Sequence, residues 1–336
     1  MRAFICFINI TSLLSESKSI MPTEPIKRVA VVGGSGATGL PVVQALLQAN
    51  LEVSVLSRIS STATFPEGVN VIKTDYSHES LVNALRGQEA VVSTISTYSL
   101  EQQISIVDAA IEAGVRRFLP SEFGVDTSSR ALGEGGLPPA LTKTETAAYL
   151  KSKEYTGMTW TCVIVGAFFD WSFAFPGILG FNIPANTATI FDGGDVAFEA
   201  TNLAQIGRAV VAVLSPEHLD ETANQYVYIN SFTITQNQIL KLFEDVGRKP
   251  FEIKHATADD FNKAALEKMN SDPKRGQVWT QGVVAAIILI MMNYRGFCQY
   301  SQTKGLWNQR LGLPEEHPED TIKEILSTQA ANAGQQ

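Results

Sequence analysis

The stretch KRVAVVGGSGATG, residues 27–39, decides the fold class of this chain. Its first half is an apolar, β-branched run that stops at glycine, which predicts a strand buried on both faces of a parallel sheet. Its second half spaces Gly33, Gly36 and Gly39 three residues apart and leads into a helical pattern over residues 37–49. A glycine-rich turn between a buried strand and a helix indicates a dinucleotide-binding site.

Each of the three glycines of this turn is required for a separate physical reason. Gly33 permits a tight turn off the strand, Gly36 lets backbone N–H groups approach a pyrophosphate, and Gly39 lets the helix pack close to the sheet. The positive end of the helix dipole then faces the phosphates. A glycine-rich turn that binds nothing is the alternative. We predict cofactor contacts along the whole turn, which comprises Gly33, Gly34, Ser35, Gly36, Ala37, Thr38 and Gly39.

Strand and helix patterns alternate over the first half of the chain. Strands are predicted at residues 52–57, 69–73, 90–94, 117–119 and 159–165, with helices between them. This alternation is typical of an α/β fold with a Rossmann-type, doubly wound parallel sheet, which we assign to residues 26–166. Beyond it aromatic residues and glycines crowd together, helices dominate, and one further strand is predicted at 225–230. We therefore predict a smaller, mainly helical substrate-binding region over residues 167–330, interleaved with the sheet.

The end of the second predicted strand bears on the choice of coenzyme. An NAD site usually has Asp or Glu there to accept a hydrogen bond from the ribose 2′-hydroxyl group, whereas this chain has Ser57 and Arg58. A guanidinium group pairs with a 2′-phosphate and stacks on adenine, so we predict NADPH, with a solvated surface arginine as the alternative. Asp75, after the third strand, is either an acceptor for the adenine amino group or the N-cap of the next helix.

Charge and cysteine content exclude several classes of protein. The 336 residues include 26 basic and 34 acidic residues, which gives a net charge of −8. This balance argues against a nucleic-acid partner, because phosphates are met by a basic face. Three scattered cysteines and four scattered histidines show no metal-ligand spacing, so we expect no metal site and a reducing, cytoplasmic location.

Two apolar segments could be mistaken for membrane segments. The N-terminal part before Met21 loosely resembles a signal peptide but lacks a cleavage site, so residues 1–25 are predicted to be a disordered or targeting extension. The run VVAAIILIMM at residues 283–292 is half as long as the ~20 residues that span a bilayer, so it is predicted to be a buried helix. That helix is either core or the seam of a homodimer, and no membrane partner is expected.

A second stretch, FLPSEFGVD at residues 118–126, resembles the signature of the isoflavone reductase and phenylcoumaran benzylic ether reductase group. These proteins belong to the NmrA-like, atypical short-chain dehydrogenases. The similarity covers roughly residues 28–326, and ATIFDGGD at 188–195 and SFTITQ at 231–236 resemble fungal members. The resemblance implies a Rossmann fold, NADPH as coenzyme and a small, aromatic or polyketide-type metabolite as substrate.

The resemblance also implies a catalytic lysine 22 residues after Ser121, and that position is Lys143. It implies further cofactor contacts at the carboxyl edge of the sheet, where ligands bind in such folds, namely at Thr94, Ser96 and Phe123. One departure concerns the 2′-phosphate. Family members often have a second basic residue about nine positions after the equivalent of Arg58, and this chain has Glu67 there.

A competing acid–base pair is present. Tyr149 and Lys153 fit the Tyr-x-x-x-Lys pattern of ordinary short-chain dehydrogenases. We favour Lys143, because Pro138 and Pro139 start the helix just before it, whereas Tyr149 lies about one and a half turns later. A lysine beside a nicotinamide ring has a lowered pKa, so it can act as general acid or base on the oxygen or nitrogen conjugated to the reduced carbon.

Four aromatic side chains after residue 166 have two interpretations. Phe168, Phe169, Trp171 and Phe173 either line an aromatic substrate pocket or belong to the core. Together these features predict an NADPH-dependent oxidoreductase with Lys143 as general acid or base. The alternative is a non-catalytic NmrA-like sensor of NADP or NAD that acts through contacts with another protein. The retained lysine favours the enzyme, because a sensor needs no proton donor.

Overall fold

The computed structural model of the protein describes residues 24–96, 99–128, 138–271 and 298–333. Almost all of the extension predicted for residues 1–25 lies outside these ranges. The apolar helix predicted for residues 283–292, whether core or dimer seam, also lies outside them.

The centre of the fold is a seven-stranded parallel sheet. Its strands are β1 (Arg28–Val32), β2 (Glu52–Arg58), β3 (Asn70–Thr74), β4 (Ala90–Ser93), β5 (Arg117–Leu119), β6 (Thr159–Ile164) and, from far later in the chain, β11 (Gln225–Tyr228). Their order across the sheet is β11-β6-β5-β4-β1-β2-β3, and every neighbouring pair is parallel. The predicted doubly wound α/β fold is thus confirmed.

Helices cover both faces of this sheet. They are α1 (Gly39–Gln48), α2 (His78–Leu85), α3 (Leu100–Glu112), α4 (Pro138–Ser152) and α6 (Leu203–Leu214). Val29 and Val31 of β1 pack in one buried layer with α1 and α6, whereas Ala30 and Val32 pack in the opposite layer with α2, α3 and α4. This alternation follows from the two-residue period of a strand, and it explains why β1 is apolar throughout.

The part of the chain after residue 166 adds a second core. It contains β7 (Ala167–Phe168), α5 (Phe169–Ser172), β8 (Phe181–Asn182), β9 (Thr187–Phe191), β10 (Phe198–Thr201), β12 (Phe232–Ile234), α7 (Gln236–Gly247), β13 (Glu252–Ala256), α8 (Ala258–Ser271), α9 (Tyr300–Thr303) and α10 (Pro318–Ala333). Among the described residues of this part, more lie in helices than in strands. The strands form two three-stranded sheets, ordered β12-β10-β7 and β13-β9-β8.

These two small sheets were not predicted from the sequence. Strands β7 and β8 have two residues each, which is too short for an alternating pattern to appear. Strand β13 is exposed over four of its five residues, so it lacks the apolar alternation of a half-buried strand. Within the described ranges, no helix is both long enough and apolar enough to cross a membrane.

Candidate functional site

The glycine turn connects the end of β1 to the start of α1. Gly33 has a φ of +86°, which an L-residue rarely adopts. Gly39 is packed so tightly that a Cβ atom on it would lie 2.2 Å from the carbonyl oxygen of Gly33. The tip of the turn, at Ser35, Gly36 and Ala37, is exposed. The turn therefore combines a buried base with an open tip.

The open tip leaves room for a ligand at the N-terminus of α1. A Cβ atom on Gly36 would lie 3.3 Å from the carbonyl oxygen of Gly33. The N-cap residue, Thr38, makes no side-chain capping hydrogen bond. Leu40 donates its N–H group to the Gly36 carbonyl at 3.0 Å and Pro41 has no N–H group, so the start of α1 attracts an anion mainly through the positive end of the helix dipole.

Hydrogen bonds join the ends of several central strands into one edge. The Thr94 hydroxyl donates to the carbonyl of Val32 at 2.9 Å. We call residues 118–126 the signature segment. Its Ser121 hydroxyl donates to the carbonyl of Ile95 at 2.7 Å, and the Gly124 carbonyl accepts from the N–H group of Val165 at 3.0 Å. The glycine turn and the signature segment therefore lie at the same carboxyl edge of the sheet.

Two other predicted cofactor contacts on this edge differ in exposure. Phe123 is 6% exposed and belongs to the buried core that includes Val31 and Val165. Ser96 is exposed after the end of β4, and its carbonyl accepts from the N–H group of Ser99 at 3.0 Å. Ser96 is accessible to a bound molecule, whereas most of the Phe123 ring is already in contact with protein.

Lys143 lies in the second turn of α4 and reaches the signature segment. Its Nζ atom donates a hydrogen bond to the main-chain carbonyl of Glu122. A Cβ atom added to Gly124 would be 3.2 Å from the same amine. The side chain is partly buried, and burial lowers the pKa of the Lys143 amine, while the charge of Glu122 opposes that effect. A lysine in this environment can release a proton nearer to neutral pH than a free lysine.

The structure adds a carboxyl group that the sequence analysis did not single out. Glu122 of the signature segment is fully buried, and the Thr127 hydroxyl donates to its carboxylate. Burial raises the pKa of Glu122, and the charge of Lys143 and the Thr127 hydrogen bond oppose this rise. A glutamate three residues after the end of a buried strand was the signal available in the sequence.

The competing pair on α4 has a different environment from Lys143. The Tyr149 hydroxyl donates to the Asp108 carboxylate of α3 at 2.6 Å, and the Lys153 amine lies 3.8 Å from the same carboxylate oxygen. Burial and the Asp108 hydrogen bond raise the pKa of Tyr149. Tyr149 and Lys153 therefore join α4 to α3, whereas Lys143 contacts the signature segment.

A second cation lies beside the end of β2. Arg58 is the last residue of β2 and is exposed, as is Glu67. Lys73 of β3 stands opposite Ser57 in the parallel register. Its Nζ atom donates to the carbonyl of Ser61 at 2.6 Å and lies 3.5 Å from the carbonyl oxygen of Arg58. Lys73 could not be singled out from the sequence, because its proximity to the loop after β2 depends on strand register.

Asp75 is exposed in the loop between β3 and α2. Its carboxylate accepts hydrogen bonds from the N–H group of Ser77 at 2.9 Å and from the Ser77 hydroxyl at 2.7 Å, which lower its pKa. The N-cap of α2 is Ser77, whose side chain accepts from the N–H group of Ser80. The N-cap interpretation of Asp75 was therefore wrong, because Asp75 orients the capping residue instead.

The four aromatic residues after residue 166 divide into two pairs. Phe169 and Phe173 are buried in the second core, where their ring centroids are 5.1 Å apart. Phe168 and Trp171 are partly exposed, with centroids 6.1 Å apart, and Trp171 also contacts the exposed ring of Phe175 at 4.8 Å. The core interpretation fits Phe169 and Phe173, and a ligand could contact the faces of the other three rings.

Within the part of the chain that the structure describes, no cluster of three or more His, Cys, Asp or Glu side chains has the geometry to hold a metal ion.

Comparison with known proteins identifies the family. The profile of the NmrA-like family matches residues 25–273. The chain belongs to the NmrA-like family. This NmrA-like chain is 31% identical to the oxidoreductase aprR of Aspergillus flavus, over 89% of the chain and 98% of that relative. It is 33% identical to the oxidoreductase poxI of Penicillium oxalicum, over 87% of the chain and 91% of that relative. The family resemblance predicted from the signature segment is thus confirmed.

The fold of the NmrA-like chain is also found in solved structures. One is the binary complex of leucoanthocyanidin reductase with NADPH from Vitis vinifera, which superimposes with a TM-score of 0.70. The two chains are 22% identical, and the match covers 89% of this chain and 99% of the reductase. At this identity the similarity concerns the fold.

Proposed function

We propose that this NmrA-like protein is an NADPH-dependent oxidoreductase that reduces a small aromatic or polyketide-type metabolite, with Lys143 as general acid or base. The observation that carries the proposal is the contact between Lys143 and the main chain of the signature segment. That contact holds a titratable amine at the same sheet edge as the glycine turn. The names of the fungal relatives, which are oxidoreductases, support the same reaction class.

The residues at the glycine turn fit a dinucleotide. The space above Gly36 is a cradle that a side chain would fill, and the Thr38 side chain does not cap the start of α1, where the helix dipole is positive. Arg58 and Lys73 supply positive charge next to β2, where the ribose 2′-phosphate of NADPH would lie. NADPH in the leucoanthocyanidin reductase structure, which has the same fold, is consistent with this assignment.

The protein's own contribution to the chemistry is positioning and proton transfer. Bound NADPH supplies the hydride. Lys143 holds a proton for the substrate oxygen or nitrogen that becomes more basic as the conjugated carbon is reduced. The Tyr149 hydroxyl is not assigned this role, because it donates to Asp108.

The partly exposed rings of Phe168 and Trp171 and the exposed ring of Phe175 indicate the kind of substrate. Phe168 lies two residues after Gly166, whose N–H group donates to the carbonyl of Gly124 in the signature segment. This hydrogen bond holds the start of β7 close to the signature segment. Its neighbours Trp171 and Phe175 extend the same aromatic surface. Such rings stack with planar, unsaturated molecules. We therefore assign an aromatic or conjugated substrate to this surface.

The test of the function is a turnover assay with a panel of enones, aryl ethers and ketones. The purified protein is mixed with NADPH and each compound, and oxidation of the coenzyme is followed by absorbance. Turnover of at least one compound, with the product identified by mass spectrometry, is the expected result. Tight NADPH binding without turnover on the whole panel would instead support the sensor function.

Arg58→Ala is expected to weaken NADP+ binding about 10–100-fold while changing NAD+ binding much less. A charge-assisted hydrogen bond contributes about 1.5–3 kcal/mol, and only NADP+ has the 2′-phosphate that Arg58 would pair with. Calorimetric titration of the variant with both coenzymes provides the measurement. An equal loss for both coenzymes would show that Arg58 does not read the phosphate.

Lys73→Met is expected to reduce NADP+ affinity several-fold and to leave NAD+ affinity unchanged. The smaller effect follows from the exposure of Lys73 and from its flexible point charge, which pairs less specifically than a guanidinium group. Lys241→Met is the matched control, because Lys241 is an exposed lysine on α7 that pairs with Asp245. If Lys73→Met and Lys241→Met give the same affinities, Lys73 does not contribute to coenzyme selectivity.

A further inference from the structure

Glu122 of the signature segment has an environment that is unusual for a glutamate. Its side chain is fully buried, and one carboxylate oxygen accepts a hydrogen bond from Thr127. The other oxygen, Oε1, has no hydrogen-bond partner among the described residues. A buried carboxylate that is only half satisfied is costly unless an opposite charge compensates it.

Lys143 provides that opposite charge. Its amine donates to the main-chain carbonyl of Glu122, so the cation is fixed at the very residue that bears the carboxyl group. Thr144, the next residue of α4, donates its hydroxyl to the carbonyl of Thr127. Two consecutive residues of α4 therefore bind the main chain of Glu122 and of Thr127, the residue that donates to the Glu122 carboxylate.

The other titratable groups around this pair do not replace either partner. Cys162 of β6 and Tyr226 of β11 face Glu122, and burial raises the pKa of each well above neutral pH, so both remain uncharged. Asp126, in the same segment, accepts a hydrogen bond from the Tyr228 hydroxyl at 3.1 Å and adds negative charge near Glu122. Among the residues that the structure describes, the positive charge acting on Glu122 comes from Lys143.

We propose that Glu122 is a positioning residue that acts through Lys143, because its buried negative charge keeps the proton on the amine until the substrate accepts it. The inference rests on the role proposed for Lys143. Two opposing effects then determine the pKa of the Lys143 amine. Burial alone lowers the pKa of Lys143, and the Glu122 charge raises it again. The net effect is a lowered pKa, so the amine gives up its proton more readily than a free lysine does, while the Glu122 charge opposes that loss.

The test is a titration of Lys143 in the full-length protein that requires no substrate. Lysine reactivity toward a small amine-reactive reagent such as acetic anhydride is measured across a pH series by peptide mass spectrometry, and the midpoint is read for Lys143. Glu122→Gln is expected to lower that midpoint by about one pH unit, the effect of removing a nearby opposite charge. A purely structural role for Glu122 would leave the midpoint where it is.

Two further variants make the test specific. Glu199→Gln is the matched control, because Glu199 is another fully buried glutamate, bound instead by Asn230, Thr233 and Ser301. It is expected to leave the Lys143 midpoint unchanged. Thr127→Val keeps the glutamate but removes the hydrogen bond that favours its charged form, so a smaller fall in the midpoint is expected. This variant serves if Glu122→Gln does not fold.

An unchanged or raised midpoint in the folded variants would overturn the inference. That outcome would leave the proposed reductase function intact, because turnover is measured separately. Conversely, a lowered midpoint in a protein that reduces no compound of the panel would support the charge coupling and reject the proposed reaction.

Discussion

Lys143→Met is expected to lower the turnover number about 10²–10⁴-fold, the usual contribution of a positioned general acid or base. Methionine keeps most of the aliphatic stem of lysine, so the packing of α4 against the signature segment is largely preserved, but it has no proton to transfer. NADP+ affinity should fall far less than turnover. The measurement is the initial rate of NADPH oxidation with a substrate of the panel, together with calorimetric titration of the coenzyme.

Tyr149→Phe on the same helix is the control for this result. It removes a hydroxyl that donates to Asp108, so a modest loss of stability is expected with turnover close to that of the unmodified protein. The opposite outcome, with activity lost in Tyr149→Phe and kept in Lys143→Met, would return the acid–base role to the Tyr-x-x-x-Lys pair.

Gly39→Ala is expected to destabilise the protein by about 1–3 kcal/mol or more, the cost of forcing extra atoms into a packed site. The added methyl group would lie 2.2 Å from the Gly33 carbonyl oxygen and 2.7 Å from the Gly34 Cα atom. Both are backbone atoms, so neither can move without displacing the turn. Chemical denaturation followed by fluorescence measures the change, and coenzyme binding should be lost as well.

Gly36→Ala in the same turn separates coenzyme binding from folding. Its methyl group would make one tight contact, 3.3 Å from the Gly33 carbonyl oxygen, so the protein should be destabilised by about 1 kcal/mol, less than in Gly39→Ala. NADP+ affinity should nevertheless fall at least about tenfold, because the methyl group occupies the path of the pyrophosphate. Unchanged coenzyme affinity in Gly36→Ala would contradict the phosphate-binding role of the turn.

Much of the central sheet could be predicted because its signals are local. Strand β1 is apolar along its whole length and ends at a glycine, and β5 (Arg117–Leu119) was predicted with its exact bounds. The start of α4 follows from two consecutive prolines, since proline is well tolerated in the first turn of a helix. These features need no knowledge of the rest of the chain.

The parts that were missed depend on contacts between distant residues. Lys73 lies at the loop after β2 because β2 and β3 pair in one particular register, which no local pattern specifies. The capping role of Ser77 and the orienting role of Asp75 differ by two positions, which is within the usual uncertainty of helix boundaries. The importance of Glu122 appears only when α4 brings Lys143 onto the same segment.

The carbonyl of Gly124 links the signature segment to the strand that bears the aromatic surface. It accepts hydrogen bonds from the N–H groups of both Val165 and Gly166, immediately before the chain enters β7 and reaches Phe168. The backbone next to the lysine and the backbone that bears the aromatic surface therefore share one anchor. We therefore expect that a substitution which reshapes this aromatic surface also shifts Lys143, so that, with Lys143 as the proposed proton donor, substrate selectivity and turnover change together.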